Sequence, residues 1–290
     1  MFKRFIHWCL RQSTIQLKNM SSASSTHLER TSDNTRYEIS SKATVKEIIS
    51  ESSIVKSLIL KIHNKKFMFK AGQWVDTHIP GVETVGGFSM CSAPSLLQER
   101  GLLQLAVKWS SHPPADWIHK KCKVGDEVEL KAGGDFYFDP PPGEFQWKLV
   151  LIAGGIGINP LFSILQHAVH LTEQSAGTNR PKVILLYSAK TPQELIFKDN
   201  IDKINKKYKN ISVQYFVTQQ TGEEGSGEGI IEYSRINLKQ IQQAVEKVKM
   251  DDPDDPQVFV CGPSTLTDSV VEHLTKCSVP QENVHYEKWW

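Results

Sequence analysis

The chain has 290 residues, of which 39% are hydrophobic and 23% charged, ordinary globular usage that excludes wholesale disorder and leaves room for one large domain or two. With 34 Lys and Arg against 32 Asp and Glu, the net charge of +2 gives no field of the kind that draws a protein onto nucleic acid. Five cysteines (Cys9, Cys91, Cys122, Cys261 and Cys277) are too scattered for a disulfide framework, a Cys-x2-Cys zinc site or a plant-type iron–sulfur run, and they point to a reducing compartment.

Residues 1–32 hold Lys3, Arg4, Arg11, Lys18 and Arg30 against one acid, Glu29, a local charge of +4 before the terminal amine is counted. Ser and Thr are dense there, and Phe2, Phe5, Ile6, Trp8 and Leu10 lie among the cations. Basic, hydroxylic, acid-poor and amphipathic is the composition of a mitochondrial transit peptide, which predicts a matrix location. The alternatives are an ordinary tail on a cytoplasmic protein and a secretory signal, the latter fitting worse because His7 interrupts a short apolar run.

From Thr44 to Ala132 short β-type runs alternate with turn signals: ATVKEII, IVKSLILKI, QWVDTHI, GGFSMCS, LLQLAVKW and DEVELKA. Six such runs, several alternating apolar with polar, predict an antiparallel barrel, with its domain drawn at residues 38–142 and one short helix over Ala115–Lys121. Phe138–Gln146 (FDPPPGEFQ) is a stiff connection and marks the boundary. Over residues 147–290 the rhythm becomes strand then helix: KLVLIA and PLFSILQHAVHL, KVILLYS and PQELIFKDNIDKINKKY, ISVQYFV and LKQIQQAVEKVK, QVFVCG and STLTDSVVEHLTKC, with a final strand at Asn283–Glu287. Near-continuous apolar strands alternating with amphipathic helices predict a doubly wound parallel sheet. The uncharged stretch Leu149–Leu165 is broken by glycines, Asn159 and Pro160, so it reads as strand, turn and helix and not as a membrane span.

Three segments carry chemistry. Gly154-Gly155-Ile156-Gly157-Ile158-Asn159-Pro160 follows an apolar strand and opens an apolar-periodic helix. Glycines there let backbone approach a pyrophosphate, which meets the positive end of the helix, with Asn159 suited to the N-cap and Pro160 to the first helical position. The spacing is GGxGxxP, not the GxGxxG fingerprint, and without a ligand it is simply a tight βα turn. Cys261-Gly262-Pro263 also ends an apolar strand, where ligands of open α/β sheets gather. Gly86-Gly87-Phe88-Ser89-Met90-Cys91-Ser92, read alone, is an ordinary strand.

In this order, and with Tyr286-Glu287-Lys288-Trp289-Trp290 at the end, the three segments resemble the ferredoxin-NADP reductase superfamily of flavoenzymes over about Thr44–Trp290. Within it the chain is most similar to a vertebrate branch named for its oxidoreductase NAD-binding domain. The resemblance implies an NAD(P)H-dependent flavin oxidoreductase, with hydride passing from nicotinamide to FAD and on to a small-molecule or protein acceptor. It implies NAD(H), with NADP(H) as the alternative, held by Gly154, Gly155, Ile156, Gly157, Ile158, Asn159 and Pro160 and by Ser188, Gly262 and Pro263. Phe88, Ser89 and Ser92 would contact flavin, Trp289 would cover its face, and Ser89, Cys261 and Glu287 would line the transfer path.

Two departures from the superfamily pattern stand out. Gly86 occupies the place of an Arg that binds flavin phosphate, and His112-Pro113-Pro114-Ala115 replaces a Gly-x-x-Ser/Thr turn before the helix that receives the flavin diphosphate. Lys108 is a candidate substitute cation. The departures keep two rivals open: a nucleotide-binding scaffold that has lost its flavin, and an electron-transfer subunit whose acceptor sits on a partner.

Overall fold

The computed structural model describes residues 26–141, 143, 144, 147–174, 181–219, 231–249 and 255–289. Most of the leader, residues 1–25, lies outside them, as do Trp290 and the side chain of Trp289. Two compact units divide the chain after Asp33. In the first, a helical turn at His27–Arg30 carries a capping box: Thr26 Oγ1 accepts from Glu29 N–H, and Glu29 Oε2 accepts from Thr26 N–H at 2.7 Å.

The second unit begins with the antiparallel strands β1 (Arg36–Ser50), β2 (Val55–Ile62), β3 (Trp74–Ile79), β4 (Val82–Ser89), β5 (Leu102–Lys108) and β6 (Glu127–Gly133), in the sheet order β4-β3-β6-β1-β2-β5. Alternation in runs such as VKSLILKI puts one face of each strand into a common core. The two edge strands do not stay open. Met90 bridges Leu105, and Cys91 N–H donates to Gln104 O at 3.0 Å, so the residues just after β4 seam the sheet to β5.

Helix α1 (Pro94–Arg100) was not anticipated, although Pro94 at its first position and Gly101, left-handed at φ +63°, are the punctuation of a short helix. Helix α2 (Pro113–Lys120) falls where the sequence placed one.

Next come β7 (Lys148–Gly154), α3 (Ile158–Gln174), β8 (Lys182–Ala189), α4 (Lys198–Lys207), β9 (Ile211–Val217), β10 (Ile231–Glu232), α5 (Leu238–Lys249), β11 (Gln257–Pro263), α6 (Ser264–Lys276) and β12 (Val284–Trp289). The sheet is parallel, ordered β10-β9-β8-β7-β11-β12. The chain starts at β7, works outward to one edge, then returns to β11 on the other side, so the switch point lies between β7 and β11. The helix expected from Pro192 is divided. A 3-10 turn spans Pro192–Glu194, and α4 begins only after Phe197, which turns left-handed at φ +63° so that its ring can stack on Phe162 at 4.7 Å. No helix among the described residues is long and apolar enough to cross a membrane.

The barrel and the α/β half share one core. Val55, Ala71, Cys91, Ala106, Phe136 and Phe138 are packed with residues of β7, α3 and β11. The Pro-rich connection is anchored at its ends, Phe138 meeting Trp147 edge-on at 5.0 Å and Phe259 at 6.2 Å. Three polar side chains on α3 then reach barrel carbonyls. Asn159 Nδ2 donates to Ala106 O (2.6 Å), Ser163 Oγ to Ser92 O (2.7 Å) and Gln166 Nε2 to Cys91 O (2.7 Å). Their spacing of four and three residues puts all three on one helix face.

Ser163 is fully buried, so Ser163→Ala deprives the Ser92 carbonyl of its donor. It is expected to lower stability by about 1–2 kcal/mol in urea unfolding, with the transition remaining single because the core is shared.

Candidate functional site

Ser89 closes β4, paired with Trp74 of β3, and is buried. Its hydroxyl oxygen has no hydrogen-bond partner among the described residues. A buried hydroxyl left unpaired costs about 1–3 kcal/mol, so an orphan at the end of a strand marks a place that a ligand group can complete. Three residues on, Ser92 is occupied: its hydroxyl accepts from Gln104 N–H at 3.0 Å and its carbonyl takes Ser163. Its part at the site is to hold the seam.

Three residues earlier on the same strand, at Gly86, the geometry is unlike a phosphate site. A methyl group placed on Gly86 would lie 2.5 Å from the Phe88 ring and 2.9 Å from Pro114 Cβ. The two departures noted in the sequence therefore meet in space. Helix α2 starts with Pro113 and Pro114 and its N-cap, His112, makes no side-chain capping bond. Lys108 points elsewhere for its charge, 3.8 Å from Glu194 Oε2 across the interface. The residues present thus fit the ring end of a flavin, through Ser89 and the half-buried Phe88, and do not fit its diphosphate end.

The glycine-rich loop expected to bind the nucleotide lies at the switch point. β7 runs out at Gly154, Gly155–Gly157 form a 3-10 turn, and α3 starts at Ile158. Asn159 is therefore inside the helix and does not cap it, and Pro160 is not its first residue. The turn takes up the residues expected to lie outside, and Asn159 is turned toward the barrel. Asn159 Oδ1 is buried without a partner among the described residues.

Gly155 sits at φ +54° with open space before it, whereas a methyl on Gly157 would overlap the Cys261 carbonyl. Ile158 is fully buried in the shared core and offers a ligand only its backbone, while Ile156 is half-buried. The amides of the turn and the start of α3 give this end of the loop its positive dipole.

The other predicted residues gather on neighbouring strands. Ala153, Cys261 and Glu287 stand abreast on β7, β11 and β12, and Gly154 pairs with Ser188 on β8. Cys261 is buried, Pro263 exposed, and Trp289 pairs with Pro263 in register. Gly262 packs against Gly154, where a methyl would lie 3.1 Å from the Gly154 Cα. Glu287 has one carboxyl oxygen enclosed without a partner among the described residues, and burial pushes its pKa up to about 8. That shift favours the protonated form of this half-buried carboxyl at neutral pH. Sequence reasoning missed Ser163 and Gln166, although polar residues at helical spacing on an otherwise apolar helix were the available signal.

Residues 151–272 match the oxidoreductase NAD-binding domain family. The chain is similar to oxidoreductase NAD-binding domain-containing protein 1 of Bos taurus, 45% identical over 270 residues that cover 91% of this chain and 85% of that protein. Among solved structures, an Amycolatopsis cytochrome P450 reductase superposes with a TM-score of 0.68 at 20% identity, covering 88% of this chain and 71% of that one. A ferredoxin-NADP+ reductase from Plasmodium falciparum gives 0.64 at 18%, covering 86% and 95%. At these identities the structures speak for the fold.

Gly157→Ala is expected to force the loop off Cys261, weakening NADH binding at least about tenfold by titration, whereas Gly155→Ala, strained but unobstructed, costs about 1 kcal/mol of stability. Glu287 binds its proton more tightly folded than unfolded, so its contribution to stability is full below pH 4.5 and is lost as pH rises through about 8. Glu287→Gln is expected to flatten that slope and to be the more stable protein above pH 8 in urea midpoints measured across pH.

Proposed function

The chain belongs to the oxidoreductase NAD-binding domain-containing protein 1 family, and on that premise we propose an oxidoreductase that moves hydride from NAD(H) to a flavin and electrons on to a separate acceptor. When bound, the nicotinamide and the flavin ring supply all the redox chemistry. The protein's work is to hold the two in register and to keep water and stray protons away. One observation carries the reading: the orphan hydroxyl of Ser89 lies at the start of the seam that α3 grips, and α3 begins at the nucleotide loop.

Ser89 Oγ–H is then the donor aimed at the ring edge, and Phe88 gives an apolar face. Gly154, Gly155 and Gly157 let the pyrophosphate come down to backbone amides at the head of α3. Cys261, small and buried, keeps the space between the loop and β12 narrow, and the protonated Glu287 beside it puts a neutral carboxyl there in place of a charge. Lys190, exposed after β8, is a single cation and gives little support to a 2′-phosphate, which favours NAD(H) over NADP(H). The basic, hydroxylic leader supports a mitochondrial address.

Anaerobic NADH oxidation with added flavin tests this. Ser89→Ala is expected to retain NADH binding and to lose about 10- to 100-fold in turnover, the worth of one hydrogen bond made at the reacting ring. Equal turnover in the two proteins would remove Ser89 from the site.

A further inference from the structure

The two ends of the flavin site disagree, and the disagreement has a shape. At the ring end, a buried hydroxyl waits for a partner. At the diphosphate end, four separate features are each wrong for an anion. Position 86 has no side chain, and the Phe88 ring and Pro114 fill the space a side chain there would use. Pro113 and Pro114 take the first two positions of α2, so two of the amides that a helix N-terminus would turn toward an anion carry no N–H.

An acid, Asp116, lies in the first turn, its carboxylate held by Lys120 at 2.6 Å and by Trp109 Nε1 at 3.4 Å. That pairing commits the Lys120 charge to a carboxylate. Lys108, the cation at the end of β5, is directed at Glu194.

We propose that this chain recognises a flavin by its isoalloxazine ring alone, with no seat for a diphosphate, so that riboflavin, FMN and FAD are equivalent ligands in exchange with solvent. This rests on the flavin reading above. A bidentate arginine and a helix N-terminus are what normally make the dinucleotide tail worth more than the ring. Without them the tail hangs in solvent and adds neither affinity nor residence time. The crowding at Gly86 is also self-consistent. With no guanidinium to accommodate, the Phe88 ring folds back over the glycine and onto Pro114, and the strand and helix close against each other.

Equilibrium dialysis of the full chain against riboflavin, FMN and FAD, each with NADH absent, tests it without reference to turnover. The expected result is three dissociation constants within about threefold of one another. FAD binding more than about tenfold tighter than riboflavin would overturn the proposal while leaving the flavin reading intact. No retention of any of the three would overturn both, and would leave a nucleotide-binding chain without flavin. As a second measurement, Gly86→Arg combined with Pro114→Ser is expected to create a preference for FAD over riboflavin of about tenfold by adding one charge-assisted contact. A double variant that folds, by its circular dichroism, yet shows no such preference would contradict the assignment of these positions to the diphosphate end.

Discussion

Three hydrogen bonds from one face of α3 to the backbone of the barrel set the relation between every other part of the second unit. Asn159, Ser163 and Gln166 reach Ala106, Ser92 and Cys91. Two of these acceptors belong to the stretch that runs on from Ser89 and stitches β4 to β5. The same few residues therefore close the barrel, end the strand that carries the orphan hydroxyl, and receive the helix that the nucleotide loop begins. Each bond is worth only about 1 kcal/mol net, but the Asn159 and Ser163 bonds are buried and the Gln166 bond is partly so, and breaking either buried one leaves about 1–3 kcal/mol of unpaired polar group inside the core. Sliding the two halves past each other would break all three together and open the shared apolar core around Phe138 and Phe259.

That constraint explains why the site tolerates strain and orphan groups where it does. Gly157 can lie on the Cys261 backbone, and Gly262 on Gly154, only because β7, β11 and α3 are already fixed. Burial pushes the pKa of Glu287 on β12 up to about 8, one of its carboxyl oxygens having no partner among the described residues, and this costs stability as pH rises past that value. In the function proposed above, a neutral acid beside a buried thiol makes a site of low charge, suited to passing a hydride, which carries its electrons and proton together. The unmet polar demand of the site is shared by Ser89 Oγ, Asn159 Oδ1 and one Glu287 carboxyl oxygen, none of which has a hydrogen-bond partner among the described residues.

Much of this was legible in the residues. Alternating runs gave the barrel, continuous apolar strands followed by amphipathic helices gave the parallel sheet, and the position of Gly154–Gly157 between them located the loop. The errors lie where tertiary packing overrode local preference. Asn159 has the chemistry of an N-cap, yet a 3-10 turn took over the entry to the helix and released its side chain to the barrel. The run from Pro192 is helical in pattern, yet Phe197 leaves it for a left-handed turn to bury its ring on Phe162. Gly86 and Pro114, twenty-eight residues apart, were noticed as separate departures, and only the fold shows that they occupy one place. The clamp was not foreseen because its acceptors are backbone carbonyls, which no side-chain motif announces.

The most direct measurement is anaerobic mixing of the chain with riboflavin and NADH, with the NADH carrying deuterium at one or the other C4 position, while the flavin absorbance is followed. Direct transfer between two rings held in fixed register bleaches the flavin, and one of the two deuterated cofactors bleaches it several-fold more slowly than the other. A flavin band that never bleaches, or that bleaches at the same rate with both labelled forms, would contradict hydride transfer at this site.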